Sequence, residues 1–356
     1  MDPASPGAKN GRRRRNEVTV ATIAQLAGVT PPTVSKVLNG RSGIAVETRD
    51  RIEALLREHG YRRTETATAS PSVEVAFYGL ESYLAMGILR GVEQAVRDHG
   101  YAVGFTDLQA PVPAGRRAAD RLLARRPTGI IAVNSVFRAR QYEQLTASGI
   151  PMVVLDPTGE PIHSIPSVGA ANWSGGISAT RHLLDLGHRR IGVITGPMDY
   201  LCARARLDAC RGVLDAAGLP LDPALVRHGR FHFDDGLELG RQLLELPEPP
   251  TAILCGDDLQ ALGVYEAARR IGVRIPDRLS VVGFDDIEIT KWCGPPMTTV
   301  RQPFFEMGAT AARMVLQLAV GEAVEPARVE VATQLVVRAS TAAPTARPVR
   351  PVRGGA

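Results

Sequence analysis

Between residues 19 and 60 the apolar positions recur at helical spacing in three short bursts. The first, TVATIAQLAG, puts Ile23, Leu26 and Ala27 on one face, with Thr19 as a candidate N-cap and Gly28 as the stop. The second lies in GVTPPTVSKVLNG: Thr30 caps, and Pro31 and Pro32 fill the first turn, where a missing backbone N–H costs nothing. Its apolar side is Val34, Val37 and Leu38, which leaves Pro32, Thr33, Ser35, Lys36 and Asn39 facing outward. The third, VETRDRIEALLREHG, turns Ile52, Leu55 and Leu56 inward and Arg49, Asp50 and Glu53 outward, with Gly60 at its end. Three helices with so few apolar residues make a very small core, so their surface serves more than stability. A helix–turn–helix whose stiffened second helix presents short polar and cationic groups to a DNA groove fits the pattern.

After residue 61 the stretch YRRTETATASPS lacks apolar periodicity and reads as a linker. From residue 73 continuous apolar runs alternate with amphipathic stretches. VEVAFYG, YAVGF, GIIAV, PMVVLD, RIGVITG, TAILCG and LSVVGFDD predict strands, and segments such as MGILRGVEQAVRDHG and LQALGVYEAARRIG predict helices. Buried strands alternating with helices indicate parallel α/β sheets, and their number suits two lobes. The last stretch, STAAPTARPVRPVRGGA, reads as disordered.

Charge sharpens the division. The 356 residues carry 42 Lys+Arg and 37 Asp+Glu, of which the first 70 residues hold 12 and 7, so the whole excess of +5 lies in the small N-terminal part. That is the footprint of a nucleic-acid partner, although a solvated tail alone would account for the run Arg12 to Arg15. Neither a membrane span nor a secretory signal is recognisable, which places the protein in the cytoplasm. Cys202, Cys210, Cys255 and Cys293 are scattered, without CxxC or histidines at metal-ligand spacing, so they read as reduced core thiols. No metal and no cofactor is expected.

These segments together resemble the LacI/GalR family of bacterial transcription factors. The match runs through VTVATIAQLAGVTPPTVSKVLNG, VETRDRIEALLREHGY, GHRRIGVITGP, RARLDACRGVLDAAGL, CGDDLQALGVYEAARRIG, IPDRLSVVGFDD and PPMTTVRQPFFEMG, over roughly residues 18–338. The resemblance implies a small all-α helix–turn–helix head joined to a two-lobed α/β effector domain with parallel sheets, like type I periplasmic binding proteins. It also implies a homodimer, double-stranded operator DNA and a small-molecule effector as partners. The corresponding divisions are a disordered basic arm (1–17), the head (18–61), a hinge (62–72), the ligand domain (73–338) and a disordered tail (339–356). Within the ligand domain the N-lobe is expected at about 73–170 and 299–322 and the C-lobe at about 171–298 and 323–338. The second helix becomes the recognition helix, and Thr19, Thr30, Pro31, Pro32, Thr33, Ser35, Lys36 and Asn39 become DNA-contacting positions. Prolines there offer only an apolar surface, suited to a thymine methyl, while Lys36 has the reach for guanine. Ser70, followed by Pro71, stands where relatives carry a minor-groove leucine, so kinking by insertion is not expected.

In doubly wound sheets ligands bind beyond the carboxyl ends of the strands. Asp156, Asp257, Asp258, Asp285 and Asp286 stand at such ends, where each has the alternative of merely capping a helix. The resemblance assigns Asp156, Arg206, Asp257 and Asp285 to the effector, with Phe231 as an aromatic packed against it. Asn172 and Trp173 open the helix after the lobe crossover; Trp173 is equally a core residue or a sugar platform, and Tyr83 and Leu84 are further candidates. Carboxylates, a guanidinium fork and an aromatic face suit a mono- or oligosaccharide, with a purine or nucleoside corepressor as the alternative. Two other readings share the lobes: a sugar-binding receptor, and a carbohydrate-active enzyme using paired carboxylates. The basic head argues against both, no GxSxG, GxxxxGK or HExxH element occurs, and no catalytic residue is assigned.

Overall fold

The computed structural model describes residues 20–38, 44–59, 71–77, 84–108, 118–133, 145, 147–157 and 165–345, with backbone alone at 38, 57, 118, 119 and 121. Thr19, Asn39, Tyr83, the basic arm, the hinge through Ser70 and residues 346–356 lie outside that set. The chain divides into two compact units, Met1–Ala69 and Ser70–Ala356.

The first unit holds α1 (Val20–Ala27), α2 (Pro31–Leu38) and α3 (Val46–Glu58). Ile23, Ala24, Ala27, Val34, Val37 and Ile52 form its core, with Leu55 and Leu56 against it. Leu26, expected inward, is 51% exposed; Ala24 takes the inner position beside Ile23 and Ala27, so the buried stripe of α1 is shifted around the helix by about a sixth of a turn from the expected one. Gly28 ends α1 at φ +66°, and Val29 N donates back to Ala24 O at 3.0 Å. Thr30 starts α2 through its carbonyl, which accepts from Thr33 N and Val34 N.

The second unit contains two six-stranded sheets. In chain order its elements are β1 (Ser72–Phe77), α4 (Ala85–Arg97), β2 (Ala102–Asp107), α5 (Ala118–Arg125), β3 (Gly129–Val133), β4 (Met152–Leu155), β5 (Ser167–Ala170) and α6 (Asn172–Asp185). Next come β6 (Ile191–Thr195), α7 (Leu201–Ala216), β7 (Val226–His228), α8 (Phe233–Leu244), β8 (Ala252–Cys255), α9 (Asp258–Arg270) and β9 (Ser280–Asp285). The chain ends with β10 (Thr298–Arg301), α10 (Phe304–Ala319), β11 (Arg328–Val331) and β12 (Gln334–Val336). The N-lobe sheet runs β11-β5-β4-β3-β1-β2 and is wholly parallel; the C-lobe sheet runs β12-β10-β9-β8-β6-β7 and is parallel except for β12. Apart from the edge strand β2, strands buried on both faces explain the continuous apolar runs. Helices α4 and α10 cover one N-lobe face over Val73, Val75 and Val153, and Leu122 of α5 packs on the other over Ile130 and Ala132. In the C-lobe α8 and α9 cover one face, and α6 and α7 cover the other.

Three crossovers join the lobes, at 171, 302–303 and 332–333, and this corrects two expected boundaries. Residues 298–301 belong to the C-lobe, where TTV is buried and pairs with β9. Residues 328–331 return to the N-lobe and pair with β5. The second crossover falls at Gln302-Pro303 because proline cannot continue the ladder.

The expected disorder of residues 339–356 is also corrected, for 339–345. Ser340 is fully buried; its Oγ donates to Val281 O at 2.6 Å and accepts from Thr298 N at 2.8 Å. His188, buried, bonds Ser280 Oγ and Ala342 O, and His182 bonds Thr341 Oγ1 at 2.9 Å. Composition misled here because a short polar strap needs only backbone and hydroxyl partners, not apolar periodicity.

Candidate functional site

On α2 the two sides are cleanly separated. Val34 and Val37 are buried, Thr30, Pro31, Pro32 and Lys36 are exposed, and Thr33 and Ser35 are partly so. The hydroxyls of Thr30 and Thr33 lie 3.0 Å apart, leaving a compact polar edge beside the proline step.

The larger constellation is centred on Arg206 of α7, which is 7% exposed. Nε donates to Asn172 Oδ1 at 2.9 Å, Nη1 donates to the carbonyl of Gly256 at 2.5 Å, and Nη2 stands 4.0 Å from Asp285 Oδ1. The guanidinium lies 3.6 Å from the Phe284 ring centroid and 5.9 Å from that of Phe231. A cation so enclosed is fixed in direction before any ligand arrives.

Three carboxylates gather around it. Asp156 follows β4 in the opposite lobe; burial raises its pKa, and the charge of Arg206 restrains the rise, so the two lobes meet electrostatically here. Asp257 begins α9 and does two things at once. Its Oδ1 accepts from Gln260 N at 2.8 Å, which is a helix cap, and its pKa is pushed up to about 7 by burial and then by the charge of Asp285. Asp285 ends β9; burial lifts it to about 6 against the opposing effect of Arg206. The other two candidate carboxylates are structural. Asp258 accepts from Thr299 Oγ1 and Ile287 N, and Asp286 is held by Arg301, Arg338 and Thr290.

Phe231 adopts φ 64°, and its ring lies where side chains on Gly196 and Gly256 would stand. A Cβ on Gly196 would be 2.0 Å from Phe231 Cζ. Tyr200 approaches the same ring at 6.2 Å and 50°. Among the described residues, four of the five non-glycine residues with positive φ are Asp156, Phe231, Asp285 and Asp286, so backbone strain is concentrated at this rim.

Asn172, Asp156, Arg206, Phe231, Asp257 and Asp285 are therefore brought together; Trp173 and Leu84 are not. Trp173 is half-exposed, with its ring edge over Gly212, more than a turn along α7 from Arg206 and on another side of that helix. Leu84 packs on the N-lobe core. Two residues join the site unforeseen. Gln302, at the second crossover, donates through Nε2 to Asp285 Oδ1 at 2.5 Å, while its Oε1 is buried without a partner. Cys202, expected as core filler, feels Arg206, Asp156 and Asp285, and burial pushes its thiol up to about 12, so it stays protonated. The Pro following Gln302 marks a strand end, the one signal that pointed to this position. Among the described residues no cluster of three metal-ligating side chains occurs, and no helix is long and apolar enough to cross a membrane.

Residues 19–64 match the model of bacterial regulatory proteins of the lacI family, and residues 180–341 match that of a periplasmic binding protein-like domain. The HTH-type transcriptional repressor CytR of Escherichia coli (strain K12) is 31% identical over 339 residues, covering 93% of this chain and 98% of CytR. The HTH-type transcriptional regulator CelR of Thermobifida fusca is 32% identical over 339 residues, covering 92% and 99%. Among solved structures, the Lac repressor dimer bound to operator and the anti-inducer ONPF superimposes with a TM-score of 0.73 at 29% identity, covering 92% of this chain and 100% of that one. The CelR–cellobiose complex gives 0.68 at 31% identity, covering 90% and 99%. The chain thus belongs to the LacI family of bacterial regulatory proteins: it is a sequence-specific DNA-binding transcriptional regulator, not an enzyme, with a helix–turn–helix head and a periplasmic-binding-protein-like domain.

Proposed function

We propose that the protein is a cytoplasmic repressor that binds its operator as a homodimer and is controlled by a sugar held between the lobes of its second unit. The observation that carries this reading is the meeting of Asp156 from one lobe with Arg206 and Asp285 from the other, beside the strained Phe231 ring. A ligand spanning those groups stabilises one degree of lobe closure over another, because its contacts lie on both sides of the gap. The likeness to a regulator solved with cellobiose supports a saccharide in that position.

DNA contact is assigned to Thr19, Thr30, Pro31, Pro32, Thr33, Ser35, Lys36 and Asn39, and effector contact to Asp156, Asn172, Arg206, Phe231, Asp257 and Asp285, with Gln302 added. Dimerisation is supported by apolar groups left on the surface of the second unit. Trp292 is 72% exposed and Ile289 44%, on and beside the short turn Glu288–Lys291, and Phe105 is 56% exposed on the edge strand β2.

Ligand and operator are then linked reciprocally, by about 1–3 kcal/mol in a coupling of ordinary size. A gel-shift on the DNA upstream of the protein's own gene, with and without mono- and disaccharides, tests this. A specific complex whose affinity changes with one saccharide is the expected result. Specific binding that no saccharide alters, but a nucleoside does, would replace the sugar with the other ligand class.

A further inference from the structure

We propose that the effector is an amino sugar, whose protonated amine donates to the acceptors gathered around Asp257 and Asp285. The inference rests on the ligand-site reading above and narrows it to a charge class.

Among the described residues the cleft has acceptors to spare and few donors. Asp257 uses one carboxylate oxygen on Gln260 N and Asp285 uses one on Gln302 Nε2, which leaves an oxygen on each. Gln302 is 5% exposed, and its Oε1 has no hydrogen-bond partner. That orphan acceptor sits beside Asp285 and is independent of the carboxylates. On the other side of the balance Arg206 is the cation of the group, already engaged by Asn172, the Gly256 carbonyl and the Phe284 ring. The neighbouring carboxylates are already accounted for: burial raises the pKa of Asp258, which accepts from Thr299 Oγ1 and Ile287 N, and Asp286 is paired with Arg301 and Arg338.

Among the described residues Asp257 and Asp285 therefore share one guanidinium. Buried carboxylates in excess are costly unless they are protonated or meet a cation. In the free protein protons meet part of the need, since Asp257 is lifted to about 7 by burial and by Asp285, and Asp285 to about 6 by burial. A hydroxyl brings one donor together with two lone pairs that themselves need donors, whereas an ammonium brings three donors, a positive charge and no lone pair. It matches a site whose unused atoms are acceptors. The carboxylate at 257 is not required by the fold, because asparagine caps a helix equally well.

The test compares thermal midpoints of the full-length protein at pH 7 in titrations of glucose, glucosamine and N-acetylglucosamine, and of the galactose and mannose counterparts. At least one amine is expected to half-saturate its shift at about tenfold lower concentration than both its parent and its N-acetyl form, the gain of one charge-assisted hydrogen bond. Asp257→Asn, which keeps the cap, is expected to bring that amine to within about threefold of its parent. Equal or tighter binding of the neutral forms, or no shift with any amine, overturns the proposal. In either case operator gel-shifts separate the two readings: a response to a neutral sugar leaves the sugar-controlled repressor standing, and no response to any sugar removes it as well.

Discussion

Replacing Asp257 by Asn isolates the electrostatics of the cleft, because the helix cap survives and only the ionisable charge disappears. Asp257 is 6% exposed, and its carboxyl is raised from 3.8 to about 7, by burial first and by Asp285 second. A carboxyl with a higher pKa in the folded state binds more protons folded than unfolded, so stability falls as the pH rises from about 4 to about 7 and is level above that. Three pKa units at about 1.4 kcal/mol each set a ceiling of about 4 kcal/mol, and partial relaxation of Asp285 in the variant, which shares the same repulsion, puts the expected gain at about 2–4 kcal/mol. Asp257→Asn should therefore match the wild type near pH 4 and exceed it by that amount at pH 8. Equilibrium urea unfolding followed by the fluorescence of Trp173 and Trp292 measures the difference at each pH. A difference that stays constant with pH, or a variant less stable at pH 8, refutes the reasoning.

Gly196→Ala places a methyl 2.0 Å from Phe231 Cζ, so the ring must leave its seat; a loss of about 1–3 kcal/mol in unfolding free energy and a weakened ligand-induced thermal shift are expected. Arg206→Ala leaves three carboxylates without their cation and should cost about 3–5 kcal/mol in urea unfolding at pH 8. It should also abolish the effector response in a gel-shift while operator binding persists. Lys36→Ala should weaken operator binding and, if the ammonium meets a phosphate, reduce the slope of log affinity against log salt by about one. Ser340→Ala removes the bonds to Val281 O and Thr298 N and should destabilise the second unit by about 1–3 kcal/mol, readable as an earlier urea midpoint.

What the sequence made legible, and what it concealed, follows from the range of the forces involved. Six of the seven apolar runs became buried strands because a parallel strand covered on both faces is written as continuous hydrophobicity, and the seventh, YAVGF, became the partly exposed edge strand β2. The short strands β5, β7, β10, β11 and β12 carry no such signature; their places are set by neighbours far away in the chain, and so the third crossover, expected at 322–323, falls instead at 332–333. Phe231 and Arg206 were reached through the family resemblance, and nothing local reveals that the ring needs Gly196 and Gly256 beneath it. Trp173 misled for the opposite reason: its position at the head of α6 was right, but its side chain turns over Gly212. Asp257 shows that cap and ligand group are not exclusive alternatives, since one oxygen caps α9 and the second is left over.

The positions of Asn172 and Gln302 bear on how ligand binding reaches lobe closure. Asn172 is the first helical residue after the first crossover and is bonded to Arg206; Gln302 forms the second crossover and is bonded to Asp285. The third crossover is tied to the first, because Ala171 N donates to Val331 O and Thr333 Oγ1 donates to Ala171 O at 3.2 Å. A ligand that engages Arg206 and Asp285 thus acts on groups one hydrogen bond away from the segments that join the lobes. No long relay of side chains is needed between recognition and hinge. A shift of a few tenths of an ångström in Arg206 changes the Asn172 bond directly, and packed elements convert such shifts into a choice between discrete arrangements rather than a graded deformation. The ligand's preference between those arrangements, not its total affinity, then fixes how strongly it acts.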